Sequence, residues 1–220
     1  MSPSCPRCGG EVRPPDLMQS QWRCDLHGQV SPLHCPAHIS AEIVGAVGER
    51  VRDGKSEPVP VWCPWPLPRG WTVTGIAWAG DDRTGPRATA VCVSGPAPLG
   101  EGPADAVFVA EEPGVGLGPA LAGSPGLDPG PAFSVAIQQN PAPAKVRVEG
   151  HPTPLWPVES QPDRSAYAGE ARGVWLYAIA WPAPAGYLLA ETIVLHDLAV
   201  SVPAELVFGA PSGRLRPRLV

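Results

Sequence analysis

The stretch CPRCGGEVRPPDLMQSQWRCDLHG, from Cys5 to Gly28, decides how the N-terminal part of the chain folds. It contains Cys5 and Cys8, then Cys24 and His27, in the pattern C-x2-C-x15-C-x2-H, a spacing typical of zinc sites. Zinc prefers four nitrogen or sulfur ligands in a tetrahedron, and two residues between ligands let one tight turn aim both at the same ion. The sequence therefore predicts a zinc site made by these four residues.

Glycine follows the second ligand of each pair, at Gly9 and Gly28, where a positive φ lets the backbone leave the turn. Between the pairs, residues 11–13 and 19–24 are predicted as short strands joined by a proline-containing loop. Two such turns joined by a hairpin resemble a zinc ribbon. Because the protein fills all four ligand positions, we expect a closed structural site without an open position for a substrate.

Two alternatives to this ligand set are present in the sequence. A Cys-x-x-Cys pair can be a redox motif or a disulfide, but the redox motif requires a thioredoxin-like βαβ context, and a Gly-Gly and a predicted hairpin follow here instead. Cys35 and His38 repeat the two-residue spacing, but Ile39 follows them where the other pairs have glycine. Cys35 and His38 are therefore reserve ligands for the zinc.

The composition indicates a globular protein with many turns. The 220 residues include 25 glycines and 31 prolines, a level close to that of low-complexity chains. Hydrophobic residues make up 44% and eight are tryptophans, which is enough apolar side chain for a core. The net charge of −5 provides no general attraction for nucleic acid, so a nucleic-acid-binding ribbon is the third of the functions considered.

The sequence predicts a cytoplasmic protein that does not enter a membrane. No secretory apolar segment precedes Cys5, and no run of about 18 apolar residues occurs. Thiols used as metal ligands also fit a reducing compartment better than disulfides do. Cys63 and Cys92 lie in apolar stretches and are predicted to be buried and unpaired.

Three segments are predicted: the zinc ribbon at residues 1–38, a linker helix at 39–57, and a sheet-rich domain at 58–220. The helix begins at the N-cap Ser40 and ends near Gly54. Long helices do not alternate with strands in the third segment, so the fold class is α+β with a large, twisted, mainly antiparallel sheet and few short helices. Strands are predicted at residues 71–80, 87–95, 104–112, 132–138, 145–150, 152–159 and 173–182, the last one central.

Shorter elements complete this description. One helical turn is predicted at residues 118–121, and YLLAETIVLHDL is predicted as a strand through Leu189 followed by a short helix to about Val200. Residues 204–210 are expected to close the sheet. Residues 58–71 contain five prolines and are predicted to be extended, as in polyproline.

Longer motifs resemble two known groups of proteins. LPRGW at 67–71, VRVEGHPTPLW at 146–156 and GVWLYAIAWP at 173–182 are similar to the motifs of PsbP-like sheet domains, which carry no catalytic residues. The ribbon together with PWPLPRGW, AGDDR and AGEARG resembles an uncharacterised family of actinobacterial proteins. The resemblance implies an actinobacterial source and no particular activity.

Five carboxylates at strand ends are the only candidates for catalysis. Asp81, Asp82, Glu111, Glu112 and Glu170 could bind a metal or act as acid and base in a hydrolytic or small-molecule-binding site. The alternative is that they form turns, where such side chains accept hydrogen bonds from the local backbone. The enzyme hypothesis requires that they converge in one concave pocket.

The tryptophans are either core residues or a surface for a partner. Trp62 and Trp65 lie in the extended segment and are the candidates for binding a partner, because tryptophan is enriched at interface hot spots. The sequence therefore favours a protein-binding adaptor or regulatory module without catalysis, with the enzyme as the second function. The partner is expected to be another protein, and the oligomeric state is left open.

Overall fold

A computed structural model describes residues 2–54, 58–100 and 102–216. The ends of two predicted segments, at 55–57 and 217–220, lie outside these residues. The described strands are β1 (Arg23–Cys24), β2 (Gly28–Gln29), β3 (Leu33–His34), β4 (Trp62–Pro64), β5 (Thr72–Asp81), β6 (Gly85–Pro96), β7 (Pro103–Glu111), β8 (Ala144–Val148), β9 (His151–Pro157), β10 (Ser165–Ala171), β11 (Val174–Trp181) and β12 (Ile193–Asp197). The described helices are α1 (Ala41–Arg52), α2 (Leu117–Ala122), α3 (Pro131–Gln139) and the 3₁₀ helix Ala183–Ala190.

Ten of these strands form one sheet in the order β3-β5-β6-β7-β11-β10-β9-β8-β12-β4, while β1 and β2 form a separate pair. Neighbouring strands in the sheet are antiparallel except for β8 and β12, which are parallel. Strand β11 is fifth in the order, so its predicted central position is confirmed. The predicted α+β class, with an antiparallel-rich sheet and few helices, is also confirmed.

Both faces of the central strands are buried, which explains why their sequences are almost continuously apolar. Phe108 and Leu176 lie on one face, which α1 and β4 cover. Val109 and Tyr177, the next residues along the same strands, lie on the opposite face, which α2 covers. The sheet is therefore the middle layer between two apolar cores.

Helix α1 begins where the sequence predicts it. The Oγ of Ser40 accepts a hydrogen bond from the backbone N–H of Ile43, which satisfies a free donor of the first turn. Gly48 weakens the helix, but it lies close to the chain at Ala199, because a Cβ there would be 3.2 Å from the Cα of Ala199. The buried face of the helix consists of Val44, Val47, Gly48 and Val51.

Two local predictions in the sheet domain are wrong, one strand was missed, and one segment joins the sheet less extensively than expected. Residues 132–138 form helix α3 and not a strand, with Pro131 in the first turn, where its missing N–H has no intrahelical partner to lose. In YLLAETIVLHDL the order is reversed, because the 3₁₀ helix comes first and strand β12 follows it. Strand β10 was not predicted, and residues 204–210 join the sheet only through a bridge between Val73 and Phe208.

The proline-rich segment is extended as predicted, and part of it is also a strand. Strand β4 pairs with β12 at the end of the sheet order. Proline has no backbone N–H to donate, so an edge strand with one bonded neighbour is the place in a sheet where it is tolerated. This edge strand lies over β6 and β7 and buries its side chains against them.

Candidate metal centre

The four predicted ligands lie on two tight turns that face each other. In the first turn the N–H of Gly9 donates to the carbonyl of Cys5 at 2.8 Å, and Gly9 has a φ of 70°. In the second turn Cys24 ends β1 and Gly28 begins β2 with a φ of 66°. Both glycines therefore occupy the left-handed conformation that the spacing predicted. The predicted hairpin strands at 11–13 and 19–24 are shorter than expected and meet in a single bridge, between Arg13 and Arg23.

The ligand atoms form a compact cluster that could hold a metal ion. The Sγ atoms of Cys8 and Cys24 are 3.7 Å apart, and the Nδ1 of His27 is 3.5 Å from the Sγ of Cys5 and 3.6 Å from that of Cys24. All four ligand atoms lie within 4.8 Å of one another. The three cysteines are at most 5% exposed, so the cluster is enclosed by its own turns.

The protonation of two of these thiols depends on their surroundings. Burial raises the pKa of the Cys5 thiol to about 12. Burial also acts to raise the pKa of Cys24, but hydrogen bonds from the backbone at Leu26 and from His27 outweigh it and lower this pKa to about 7. Since thiolates bind metals, loading of the cluster must displace the proton of Cys5, and the affinity falls as the pH falls.

The reserve ligands lie elsewhere. The Sγ of Cys35 donates to the carbonyl of Leu215 at 3.5 Å, and burial raises the pKa of this thiol to about 11. Cys35 and His38 line a cavity with the C-terminal segment. Among the described residues, the four preferred ligands form the only group of histidine, cysteine and acidic side chains close enough to share an ion.

The ribbon is attached to the edge of the large sheet. Strand β3 continues from the ribbon and pairs with β5, and the ring of His34 stacks on that of Trp78 with 3.9 Å between centroids. Arg7, between the first two ligands, donates from Nη2 to the carbonyl of Gly114 at 3.0 Å and from Nε to that of Val115 at 3.1 Å. The metal centre therefore contacts the sheet domain at two places.

Asp81 and Asp82 occupy the turn between β5 and β6. The Oδ1 of Asp81 accepts hydrogen bonds from the backbone of Arg83 and Thr84, as an Asx turn does. Asp82 forms an ion pair with Arg50, and the hydrogen bond in this pair holds the pKa of the Asp82 carboxyl below its usual range. Both carboxylates line one cavity, but each also has a structural partner.

Two further candidates also have structural partners. Glu112, which follows β7, pairs at 2.7 Å with Arg87 in the neighbouring strand β6. Glu170 accepts a hydrogen bond from the backbone N–H of Gly173 at 2.8 Å, in the turn between β10 and β11. Neither lines any described cavity together with Asp81 and Asp82.

Glu111 is the exception, because its carboxyl is inside the protein. It is 0% exposed, and its Oε2 accepts hydrogen bonds from the backbone N–H groups of Leu117 and Gly118, at the start of α2. Its Oε1 has no partner among the described residues. Burial raises the pKa of this carboxyl to about 8, although the two backbone bonds act against the rise. Glu111 is therefore largely protonated at neutral pH and supports α2.

We expect the stability of the protein to fall between pH 5 and pH 7 because of Glu111. The unfolded chain releases this proton near pH 4.5, while the folded chain keeps it to about pH 8, so rising pH favours unfolding within this window. The free energy of unfolding should decrease by at most about 1.4 kcal/mol per pH unit from this group. Urea denaturation at several pH values measures the slope.

The matched variant is Glu111→Gln, which keeps an acceptor for the two backbone donors but cannot ionise. The free energy of unfolding of this variant should depend less steeply on pH than that of the wild type. The variant keeps Asp128 and Arg7, the other charges that act on this carboxyl. Equal slopes in the two proteins would show that Glu111 has an ordinary pKa in the folded state.

Trp62 and Trp65 of the proline-rich segment, the candidates for binding a partner, differ in their surroundings. Trp62 is 1% exposed and belongs to the core beneath the sheet, and its Nε1 has no partner among the described residues. Trp65 is half-buried and packs against the same core. Only Trp65 therefore has ring surface to offer from this segment.

A cavity of about 540 Å³ between the ribbon and the sheet was not predicted from the sequence. Pro15, Ser20 and Trp22 line it from the ribbon, and Trp78 lines it from β5. The guanidinium of Arg50 lies 4.5 Å from the centroid of the Trp78 ring. No local pattern identifies this site, because residues far apart in the chain form it.

The fold and the cluster define an α+β protein with an antiparallel-rich sheet and an N-terminal Cys3His group. The chain belongs to DUF6758, a family of unknown function, whose model matches residues 1–215. Comparison of the chain with the curated proteins and with the solved structures found no match. None of the described helices combines the length and apolar character that a membrane span requires.

Proposed function

We propose that this chain is a protein-binding module whose N-terminal ribbon is held together by a structural zinc ion. Tetrahedral zinc, with bonds of about 2.3 Å to sulfur and about 2.0–2.1 Å to nitrogen, separates two sulfurs by about 3.8 Å and a sulfur from a nitrogen by about 3.6 Å. The corresponding distances in the cluster are 3.7 Å for the sulfur pair and 3.5 and 3.6 Å to the histidine. Four protein ligands fill this coordination, so the proposed zinc has no position for a substrate.

The observation that carries the binding function is the ribbon tip, which we define as residues 14–20. The side chains of Leu17 and Met18 are 104% and 90% exposed. The loop that presents them is ordered by Asp16, whose Oδ1 accepts hydrogen bonds at 2.8 Å from the backbone of Met18 and of Gln19. Two apolar side chains held in solvent by a structured turn are typical of an interaction site.

The ribbon tip adjoins the apolar cavity. Pro15 and Ser20 lie at the two sides of the tip and line the cavity together with Trp22 and Trp78. The exposed pair and the cavity are therefore neighbours, and the cavity is lined by both the ribbon and the sheet. Such a surface suits a protein partner, which can cover the tip and place a side chain in the cavity.

The other two functions have less support. The five carboxylates have separate structural partners or are buried, so no shared catalytic pocket supports the enzyme hypothesis. The net charge of −5 supports no nucleic-acid partner. None of the six cysteines forms a disulfide, which fits the proposed cytoplasmic location. The actinobacterial source and the relation to PsbP-like domains stay predictions.

The test replaces Leu17 and Met18 together with serine and compares the capture of partners from cell extract by the immobilised full-length protein. We expect the specific partners to be depleted at least about tenfold, which corresponds to a loss of about 1.4 kcal/mol of binding free energy. The matched control is Leu99→Ser, which removes an exposed leucine from the loop between β6 and β7. If the double variant captures partners as well as the wild type does, the ribbon tip is not the binding site. The same holds if the double variant and Leu99→Ser lose equal amounts of captured partner.

A further inference from the structure

A second cavity, of about 360 Å³, lies at the opposite face from α1, beside the C-terminal segment 211–216. Its lining is unusually rich in arginine around one tryptophan. The polar and aromatic residues that matter here are Asp105, Arg164, Trp181, Ser212, Arg214 and Arg216. Its volume is within the range of small-molecule sites.

Trp181 has a hydrogen-bond donor without an acceptor. The side chain is 3% exposed and lines the cavity, but its Nε1 has no hydrogen-bond partner among the described residues. A buried N–H without an acceptor is unfavourable. Solvent does not reach this nitrogen, so the ring of Trp181 contributes apolar surface to the cavity wall and not a hydrogen-bond donor.

The arginines leave an excess of positive charge at the cavity. The guanidinium carbons of Arg164 and Arg214 each lie 5.1 Å from the centroid of the Trp181 ring. Each also pairs with an aspartate, Arg164 with Asp163 at 2.6 Å and Arg214 with Asp105 at 3.0 Å. These pairs neutralise the two carboxylates that would otherwise repel an anion.

Arg216 has no such partner. Within the part of the chain that the structure describes, its exposed guanidinium forms no ion pair and no hydrogen bond. The Nε of Arg214 is bonded to Asp105, but its two terminal nitrogens have no partner within the described residues. Several charged donors are therefore available for one ligand.

The cavity is formed before any ligand binds, because its C-terminal wall is anchored. Leu215, between the two arginines, is 4% exposed and packs over Gly75 in β5. A Cβ at Gly75 would lie 2.7 Å from a methyl carbon of Leu215, so glycine at this position leaves room for the leucine to pack closely on β5. The anchor holds Arg214 and Arg216 beside Trp181 at a low entropic cost of binding.

We propose that this cavity binds a small ligand through a carboxylate or phosphate group. The oxyanion pairs with the guanidinium of Arg216 and with the terminal nitrogens of Arg214, beside the ring of Trp181. Charged hydrogen bonds of this kind are about twice as strong as neutral ones, and arginine matches the geometry of both groups. The site is separate from the ribbon tip and does not depend on the proposed protein-binding function.

Nuclear magnetic resonance of the full-length zinc-loaded protein tests this directly. The indole N–H resonance of Trp181 is assigned with Trp181→Phe and followed during titrations with sodium phosphate and with sodium acetate, at constant ionic strength set by chloride. We expect a saturable shift of this resonance that exceeds the shifts of the other indoles. Phosphate alone producing it would indicate a phosphorylated ligand, and acetate producing it would indicate a carboxylate.

Two arginine variants decide whether the site is specific. Arg216→Ala should weaken the binding of the active anion at least tenfold, while Arg69→Ala, which removes another exposed arginine in the loop before β5, should leave it unchanged. Shifts as large with chloride alone, equal affinity in Arg216→Ala, or no saturable shift with either anion would overturn the proposal. Phosphate binding should survive in Trp181→Phe, monitored at the amide of Gly213, because the arginines hold the anion; its loss would contradict this assignment.

Discussion

Replacing Cys24 with serine is expected to abolish metal binding and unfold the ribbon. Cys24 is the ligand whose Sγ lies close to both Cys8 and His27, so its loss removes a corner of the cluster. In zinc-finger peptides the metal contributes about 10–16 kcal/mol of apparent binding free energy, which becomes folding free energy. Elemental analysis should find one zinc per chain in the wild type, purified without chelator, and almost none in Cys24→Ser.

The matched control is Cys35→Ser, because Cys35 is a cysteine near the ribbon that lies outside the cluster. Its zinc content should equal that of the wild type. If Cys35→Ser loses the metal, or if His27→Ala keeps it with full affinity, the ligand assignment is wrong. If a different metal is found in stoichiometric amount, the ligand assignment stands but the identification of the metal as zinc is wrong.

Removal of the metal should leave most of the sheet intact. The small core of the ribbon consists of Cys5, Cys8, Cys24 and Val30, apart from the two large cores on the faces of the sheet. After chelation, hydrogen exchange should accelerate in residues 4–30, while β6, β7 and β11 keep their protection. A uniform loss of protection would show that the contacts of β3 and Arg7 make ribbon and sheet one cooperative unit.

The second large effect is expected for Trp62→Ala. Trp62 is 1% exposed and fills the space between β4 and the sheet, so its removal leaves a cavity in the main core. Truncation of such a buried ring lowers the free energy of unfolding by about 3–5 kcal/mol. Urea denaturation of the zinc-loaded protein measures this loss.

Trp65→Ala is the matched comparison, since Trp65 lies in the same segment but is half-buried. We expect a clearly smaller loss of stability for it. If the two variants are equally destabilised, the difference in burial between Trp62 and Trp65 does not determine how much each contributes to the free energy of unfolding. If Trp62→Ala is as stable as the wild type, β4 does not pack on the sheet as described here.

The metal centre could be predicted because its geometry is local. Two residues between Cys5 and Cys8 determine that one turn presents both sulfurs, and Gly9 allows the chain to leave that turn whatever the rest of the fold does. Helix α1 is similar, since Ser40 caps it and its valines repeat with the helical period. The central position of β11 also followed from its apolar run.

The errors in the fold arise where a local pattern fits two structures. The apolar segment that forms α3 is short, and periodicity alone does not separate a short helix from a strand. Strand β12 exists because β8 and β4 lie on its two sides, and both partners are distant in sequence. Strand β10 was missed although its partners β9 and β11 are its neighbours in sequence and only Arg172 and Gly173 separate it from β11.

The sequence by itself determined the Cys3His cluster that could hold a metal, the capped helix after it and the antiparallel character of the sheet domain. Only the tertiary structure decided that Trp62 is a core residue, that Glu111 is buried beneath α2, and that Leu17 and Met18 are exposed. Ligand spacing and capping act through neighbours along the chain, so the sequence contains them directly. Burial, by contrast, depends on which distant elements pack against a side chain, as β6 and β7 pack against Trp62.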